Sequence, residues 1–322
     1  MKIKAIYIVS GCILFIGSIL FTSFRSAPGV VQPYRETPSF SVPEFPSHIS
    51  FAGEDVDLER FDMYERYDRE LTSLCYGHTN TLLILKRANR YFPIIEPILK
   101  KQGIPEDFLY LVAVESLLNI RALSPVKAAG LWQLMSKTGQ QYGLEVNDYV
   151  DERYNIEVAT IAACKYLKDA YNKYGSWLTV AASYNAGMGR ISSELSKQMV
   201  DHTFDLWLNE ETSRYVFRIL GIKEILSRPA EYGFTLRKKQ LYQPIRTRKL
   251  EIDTAITDLA QFAKEQGITY SQLKEFNLWL RGRELPNKTG KKYIIQIPIE
   301  QDMYYNGRRE YVVYRKNWIT EQ

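Results

Sequence analysis

Residues 105–118 read PEDFLYLVAVESLL, a helix start followed by an apolar run with one acid inside it, Glu115. Pro105 suits the first turn of a helix, and the acids Glu106 and Asp107 suit its N-terminal dipole. A glutamate in such a run is rarely buried unless it is paired or functional, because burial disfavours the charged form and raises the carboxyl pKa. The stretch predicts a buried helix whose acid is either structural or able to donate a proton near neutral pH.

Helical periodicity extends well beyond this stretch. From about residue 58 to residue 227, apolar residues recur three and four positions apart, as in Ile156–Tyr174. Strand signals there are few, so the region predicts an all-α domain. After Gly233 the pattern predicts short helices over 254–266 and 271–276, and strands over Tyr293–Pro298 and 310–315. The expected fold class is mainly α, with a small α/β domain near the C-terminal end.

The N-terminal residues have the pattern of an export signal or a membrane anchor. Lys2 and Lys4 precede the uncharged stretch 5–23, whose 19 residues approach the roughly 20 needed to cross a bilayer as a helix. No Ala-x-Ala site follows, which favours retention, and a lipoprotein-like box at Cys12 is followed by further apolar residues. Five prolines in residues 25–50 predict an extended spacer, so we expect the remaining chain to be exported.

Composition excludes several function classes. The chain has 322 residues, 45% of them hydrophobic and 25% charged, with a formal net charge of +5, values typical of a globular protein of two folded units. Three scattered histidines give no metal-ligand spacing, so neither a metal nor a cofactor is expected.

Cys75 and Cys164 could form a disulfide or remain two buried thiols. No nucleic-acid-binding motif is present, and we expect a monomer without nucleic-acid partners.

Three further motifs follow Glu115-Ser116 in order. Ser-Pro-x-x-Ala-x-Gly-Leu-x-Gln-x-Met covers residues 124–135, Tyr-Asn-Ala-Gly covers 184–187, and Glu-Thr-x-x-Tyr-Val covers 211–216. This ordered set resembles the lytic transglycosylases of the soluble and membrane-bound type, which share the goose-type lysozyme fold. The overall layout is similar to the membrane-bound D group of that family.

The resemblance implies a mechanism and a set of site residues. Glu115 corresponds to the single catalytic acid, which cleaves the β-1,4 bond between N-acetylmuramic acid and N-acetylglucosamine and leaves a 1,6-anhydro end. After Glu115, no further Asp or Glu occurs until Glu145, which agrees with a mechanism that uses one carboxyl. A hydrolytic muramidase and a non-catalytic peptidoglycan-binding protein remain alternatives. The substrate-binding residues implied by the resemblance are Ser116, Ser124, Gln133, Met135, Tyr166, Tyr184, Asn185 and Tyr215.

A second resemblance covers the C-terminal region. Gly267-Ile-Thr269, Asn277 and the closing Ile-Pro of Tyr293–Pro298 resemble a LysM-type peptidoglycan-binding module. The alternative is a small stabilising domain without a ligand.

Together, the resemblances imply glycan strands of peptidoglycan as partner, a membrane contact through the N-terminal segment, and a location on the periplasmic side of the cell envelope. The domains expected are an anchor or signal at 1–24, a spacer at 25–50, a lysozyme-like domain at 51–232, and a LysM-like domain with tail at 233–322.

Overall fold

The structure, a computed structural model, describes residues 42–46, 48–305 and 310–320. The predicted membrane segment 1–24 and most of the spacer 25–50 lie outside the described residues. Within the described part, no helix is both long enough and apolar enough to cross a membrane.

Ten α-helices and four strands occupy the described residues, in an order that agrees with the predicted change of pattern after Gly233. In chain order they are β1 (Ser50–Phe51), β2 (Glu54–Asp55), α1 (Phe61–Tyr76), α2 (His78–Lys101), α3 (Phe108–Ser116), α4 (Ser136–Gln141), α5 (Ile156–Tyr174), α6 (Trp177–Ala186), α7 (Met188–Gln198), α8 (Glu210–Ser227), β3 (Thr247–Ile252), α9 (Leu259–Glu265), α10 (Tyr270–Phe276) and β4 (Tyr293–Pro298). The predicted fold class, mainly α with a small α/β unit, is confirmed.

Helix α3 lies at the centre of the helical part. Its residues from Phe108 to Ala113 are all buried, as expected for a helix that is apolar on every side. Helices α2 and α8 pack against it, and α1 packs against α8 from the other side. The stretch that predicted a buried helix from the sequence therefore forms the middle of the helical core.

Helix α3 ends abruptly just after Glu115. Leu117 and Leu118 both adopt left-handed backbone conformations, with φ values of 52° and 54°. Two consecutive non-glycine residues in this region are costly, and such strain is found where the surrounding structure enforces it, often at functional sites. The chain then leaves the helix as an irregular loop, residues 119–135, which contains the longest of the sequence motifs.

The C-terminal α/β unit is a two-stranded antiparallel sheet with α9 and α10 between its strands. Residues Thr247 and Pro298 pair at one end of the sheet, and Ile252 and Tyr293 pair at the other. Strand β4 matches its prediction residue for residue, and α9 is shorter than predicted. The partner strand β3 was not predicted, because its sequence, TRKLEI, is rich in charged residues. Their side chains are exposed, since only one face of this sheet is covered.

The prediction of a strand over 310–315 was wrong. The backbone N–H groups of Val312 and Tyr314 donate instead to the side-chain amides of Gln243 and Asn89, each at 2.8 Å. Asn89 also donates to the carbonyl of Val312 at 3.0 Å. Both amides are fully buried, so they satisfy the tail's backbone in the way that a neighbouring strand otherwise would.

Cys75 on α1 and Cys164 on α5 are two separate buried thiols, so the disulfide that the sequence left open is absent from the described residues. Burial raises the pKa of each thiol to about 12. Thiols with such pKa values are unreactive at neutral pH, so both cysteines serve as small core residues.

The tail contributes the side chain of Trp318 to the helical core, and its contribution to the free energy of unfolding can be measured. Trp318 is 1% exposed, lies 6.1 Å from the ring of Phe92 and donates to the carbonyl of Leu226 at 2.7 Å. We expect Trp318→Ala to lower the free energy of unfolding by about 3–5 kcal/mol. The matched control Trp207→Ala, at a position 84% exposed, should change it by less than about 0.5 kcal/mol. Equal effects of the two substitutions in a urea titration would contradict this account of the tail.

Candidate active site

Glu115 lies in the last turn of α3 and receives a hydrogen bond from helix α8. The hydroxyl of Tyr215, a residue only 3% exposed, donates to Glu115 Oε1. Burial raises the pKa of Glu115 to about 7, and the hydrogen bond from Tyr215 opposes that rise. The residue keeps some exposure to solvent. The site therefore contains a carboxyl group with a pKa of about 7, so that a substantial fraction is protonated at neutral pH, and the residue is still partly exposed, as a general acid requires.

Two charged residues on α8 also act on this carboxyl. Glu211 raises the pKa of Glu115 and Arg218 lowers it, and together with Tyr215 they occupy one face of the helix at positions i, i+4 and i+7. The guanidinium of Arg218 is held by the buried carboxylate of Glu70 on α1, at 2.9 Å. Sequence reasoning missed Arg218, although its spacing from Tyr215 was a usable signal. It could not have found Glu70, which lies 148 residues away from Arg218 in the chain.

Tyrosines from α5 and α6 form a second side of the site. The hydroxyl of Tyr184 donates to the carbonyl of Trp132 at 2.7 Å. Burial, and then the nearby carboxylate of Glu115, raise the pKa of Tyr184 well above its usual value. The ring of Tyr166 packs edge-on against Tyr184 at 5.3 Å, and its hydroxyl donates to the carbonyl of Ser183 at 2.9 Å. Tyr184 is thus close to Glu115, and Tyr166 supports it from behind.

Asn185 and Ser116 have local roles in the structure. Asn185 Oδ1 accepts a hydrogen bond of 3.0 Å from the hydroxyl of Thr212, which ties the end of α6 to the start of α8. The hydroxyl of Ser116 is buried and donates to the carbonyl of Val112 at 3.3 Å, within its own helix. A direct part in substrate binding stays a prediction for both residues.

The irregular loop after α3 carries the remaining predicted residues. Gln133 Nε2 donates to the carbonyls of Gly130 at 2.8 Å and Ala122 at 3.3 Å, which closes the base of the loop. Ser124 Oγ accepts from the backbone N–H of Ala128 at 3.0 Å and closes its tip. Met135, at the start of α4, is 44% exposed. The structure therefore assigns loop-shaping contacts to Gln133 and Ser124, and leaves Met135 open to solvent.

Gly130 is the one position in this loop that admits only glycine. Its φ is 74°, and a Cβ atom there would lie 1.9 Å from the carbonyl oxygen of Arg153. The side chain of Arg153 comes back to the same loop and donates from Nη1 to the carbonyls of Lys127 at 2.8 Å and Leu134 at 3.1 Å. Sequence reasoning missed Arg153, because nothing in its local pattern indicates contacts with a loop some 20 residues earlier.

The structure thus brings Glu115, Tyr215 and Tyr184 together, with Tyr166 behind them, and places the loop residues in a network of their own. No group of three or more His, Cys, Asp or Glu side chains in the described residues is arranged to hold a metal ion. A partly exposed carboxyl with a tyrosine hydroxyl in contact with it can transfer a proton to a leaving group and take one back.

The raised pKa of Glu115 also has a measurable effect on stability. The carboxyl of Glu115 has a pKa of 4.5 in the unfolded chain and about 7 in the folded protein. Its contribution to the free energy of unfolding is therefore largest below pH 4.5 and is lost as the pH rises through 7. Glu115→Gln keeps an acceptor for Tyr215 but cannot ionise. We expect the variant to be more stable than the wild type by about 1–3 kcal/mol at pH 8, with the gain disappearing towards pH 4. Urea titrations across this range should show no such trend for Glu65→Gln, at an exposed position on α1. A pH-independent difference for Glu115→Gln would contradict the raised pKa.

The chain is similar to known enzymes along much of its length. It is 29% identical over 254 residues to membrane-bound lytic murein transglycosylase D of Escherichia coli, a match that covers 76% of this chain and 54% of that protein. The chain therefore spans about half the length of this curated relative.

Two solved structures with detectable likeness are those of lytic transglycosylases. The 70 kDa enzyme of Escherichia coli has a TM-score of 0.36 and 20% identity, over 52% of this chain and 30% of that one. The Slt enzyme of Pseudomonas aeruginosa has a TM-score of 0.35 and 20% identity, over 44% of this chain and 24% of that one.

Two domain families match separate parts of the chain, and the two matches follow the division seen in the fold. The transglycosylase SLT domain matches residues 92–205, which include Glu115 and the loop after it. The LysM-like domain from the C-terminus of soluble lytic transglycosylases matches residues 248–301, which cover β3 to β4. Residues 92–205 therefore match the transglycosylase SLT domain and residues 248–301 match the LysM-like domain, as the sequence motifs predicted.

Proposed function

We propose that this protein is a peptidoglycan lytic transglycosylase and that Glu115 is its catalytic acid and base. The observation that carries the proposal is the partly exposed carboxyl of Glu115, whose pKa is raised by burial to about 7 and whose oxygen contacts Tyr215. The SLT family match over residues 92–205 supports the same reaction class. The murein transglycosylase named among the relatives supports peptidoglycan as the substrate.

The reaction needs two proton transfers at one carboxyl. Protonated Glu115 gives its proton to the glycosidic oxygen as the bond from C1 of N-acetylmuramic acid breaks, and N-acetylglucosamine leaves with a hydroxyl at C4. The Glu115 carboxylate then takes the proton of the C6 hydroxyl while that oxygen bonds to C1 and forms the 1,6-anhydro ring. The attacking hydroxyl belongs to the substrate, so no enzyme nucleophile is needed, and its proximity lowers the barrier. Tyr215 stabilises the carboxylate between the two transfers.

We assign substrate contacts to the cleft around this carboxyl. Tyr184 and Asn185, at the end of α6, would line one side, and the loop with Ser124 and Gln133 would line the other. Flat aromatic faces suit sugar rings, and exposed Met135 can pack against an apolar sugar face. Tyr166 and Ser116 would act mainly by supporting these residues, because their hydroxyls bind backbone carbonyls.

The proposed domain plan places this activity in the cell envelope. Residues 1–24 would anchor or export the chain, 25–50 would act as a spacer, 51–232 would cleave glycan, and 233–322 would comprise the LysM-like domain and tail. Peptidoglycan binding by the C-terminal region is supported by the LysM-like match over residues 248–301. Attachment to a membrane is supported by the relative that is named as membrane-bound, and a location on the periplasmic side is part of the same proposal.

Digestion of purified sacculi tests the reaction directly. We expect muropeptides that are one water lighter than hydrolysed ends, because the C6 hydroxyl replaces water as the attacking group. Glu115→Gln should lower the rate roughly a hundredfold to ten-thousandfold, the usual contribution of a positioned acid–base group. Glu65→Gln should retain the wild-type rate. Reducing ends in place of anhydro ends would identify a hydrolytic muramidase, and full activity of Glu115→Gln would remove Glu115 from the mechanism.

The pH dependence of the rate tests the contact between Tyr215 and Glu115. An acid must be protonated to act, so kcat/KM should fall as the pH rises through about 7, the pKa of Glu115. Tyr215→Phe removes the hydrogen bond that lowers this pKa, so the alkaline limb should move to higher pH while the maximal rate decreases. Tyr171→Phe, at a partly exposed position on α5, should leave the limb in place. An unchanged limb in Tyr215→Phe would separate the tyrosine from the titrating acid.

A further inference from the structure

The connection between α10 and β4, residues 277–292, docks directly against residues 145–154 of the helical part. The backbone N–H of Asp151 donates to the carbonyl of Trp279 at 2.8 Å, and the N–H of Arg281 donates to the carbonyl of Tyr149 at 2.7 Å. Val150 and Leu280 form an isolated antiparallel bridge between them. The LysM-like domain is therefore joined to the helical domain by main-chain hydrogen bonds of the kind found within a sheet.

A charged cluster reinforces this docking. Lys291 Nζ lies 3.0 Å from Glu145 Oε2 and 2.7 Å from Glu152 Oε1, and the hydroxyl of Tyr293 donates to Glu145 at 2.7 Å. The side chain of Glu152 is only 7% exposed, so it depends on Lys291 for charge compensation. Lys291 itself is 36% exposed, but its removal would leave the buried Glu152 carboxylate without this charge partner, which costs more than losing an ion pair between two exposed groups.

Asp151 connects the docked segment to the loop of the candidate active site. Its carboxylate receives hydrogen bonds of 2.9 and 2.7 Å from the guanidinium of Arg153, and both residues are 7% exposed. The same guanidinium holds the carbonyls of Lys127 and Leu134 on either side of the loop. A continuous chain of contacts therefore runs from the backbone of Trp279 through Asp151 and Arg153 to the loop that carries Ser124 and Gln133.

Packing gives a second, independent link between the LysM-like domain and this loop. Ala129, in the middle of the loop, is fully buried and belongs to a hydrophobic cluster that also contains Val150 and Tyr154 of the helical part. Leu280, Leu285 and Ile295 are in the same cluster. The loop thus shares a hydrophobic cluster with the LysM-like domain through Ala129, while Ser124 and Gln133 are the loop residues assigned to substrate contacts.

We propose that the LysM-like domain positions the loop 122–135 for catalysis, in addition to any affinity it has for the wall. This inference rests on the proposed function of the helical domain. Lys291 and Arg153 are positioning residues in this arrangement, because they act through the loop and not on the substrate. Docking fixes the loop's backbone carbonyls, and a misplacement of about 1 Å in such a loop lowers turnover substantially.

Variants at Lys291 in the full chain separate positioning from wall binding. Lys291→Glu places three carboxylates together and should undock the segment, whereas Lys291→Arg should preserve both ion pairs. Lys292→Met is the matched control, because Lys292 is exposed and pairs with Glu251 of its own domain. With short, soluble glycan fragments as substrate, we expect kcat/KM to fall at least about tenfold in Lys291→Glu, to remain within about twofold in Lys291→Arg and to stay unchanged in Lys292→Met.

Hydrogen exchange of the same variants provides a readout that does not require activity. Amides of residues 127–130 should exchange faster in Lys291→Glu than in the wild type, while those of α3 should keep their protection. Wild-type turnover of soluble fragments by Lys291→Glu, with or without slower digestion of sacculi, would overturn the positioning role. Unchanged exchange in the loop would overturn it as well. If the wild type released no anhydro ends, the proposed function would fail, and the exchange data would still test the coupling by themselves.

Discussion

The hydrogen bond from Tyr215 to Glu115 joins the two helices on which the candidate site depends. Helix α3 is apolar on every side and is stable only when other helices surround it. That packing brings α8 alongside its last turn, where the carboxyl of Glu115 exchanges much of its water for one tyrosine hydroxyl. Burial therefore has two effects at once, because it completes the helical core and raises the pKa of the acid to about 7.

The loop after α3 is held from two sides. Within it, Gln133 binds the carbonyls of Ala122 and Gly130, and outside it Arg153 binds two further carbonyls. An irregular backbone needs such partners, since buried carbonyls without hydrogen bonds destabilise a fold. The left-handed conformations of Leu117 and Leu118 at the start of the loop add strain that these contacts offset. The shape of this loop thus depends on polar contacts made within it by Gln133 and from outside it by Arg153, about 20 residues later in the chain.

Sequence reasoning was most reliable where a pattern is local. The helix around Glu115 follows from its start signals and apolar run, helix α5 from its hydrophobic periodicity, and strand β4 from a short apolar run. It was least reliable where the tertiary structure supplied the partner. The tail around Val312 alternates like a strand, yet buried side-chain amides satisfy its backbone. Half of the residues of strand β3 are charged, and pairing with β4 makes it a strand.

The sequence alone determined the helical domain, the single acid within an apolar run, and the motifs that mark an SLT domain with a LysM-like domain after it. These features follow from residue type and spacing, which are properties of the local chain. Only the tertiary structure decided that Tyr215 reaches Glu115, that Arg218 is held by Glu70, and that the LysM-like domain supports the loop through Arg153. Each of these contacts joins residues that are distant in sequence, and the packing of the helices sets their distances.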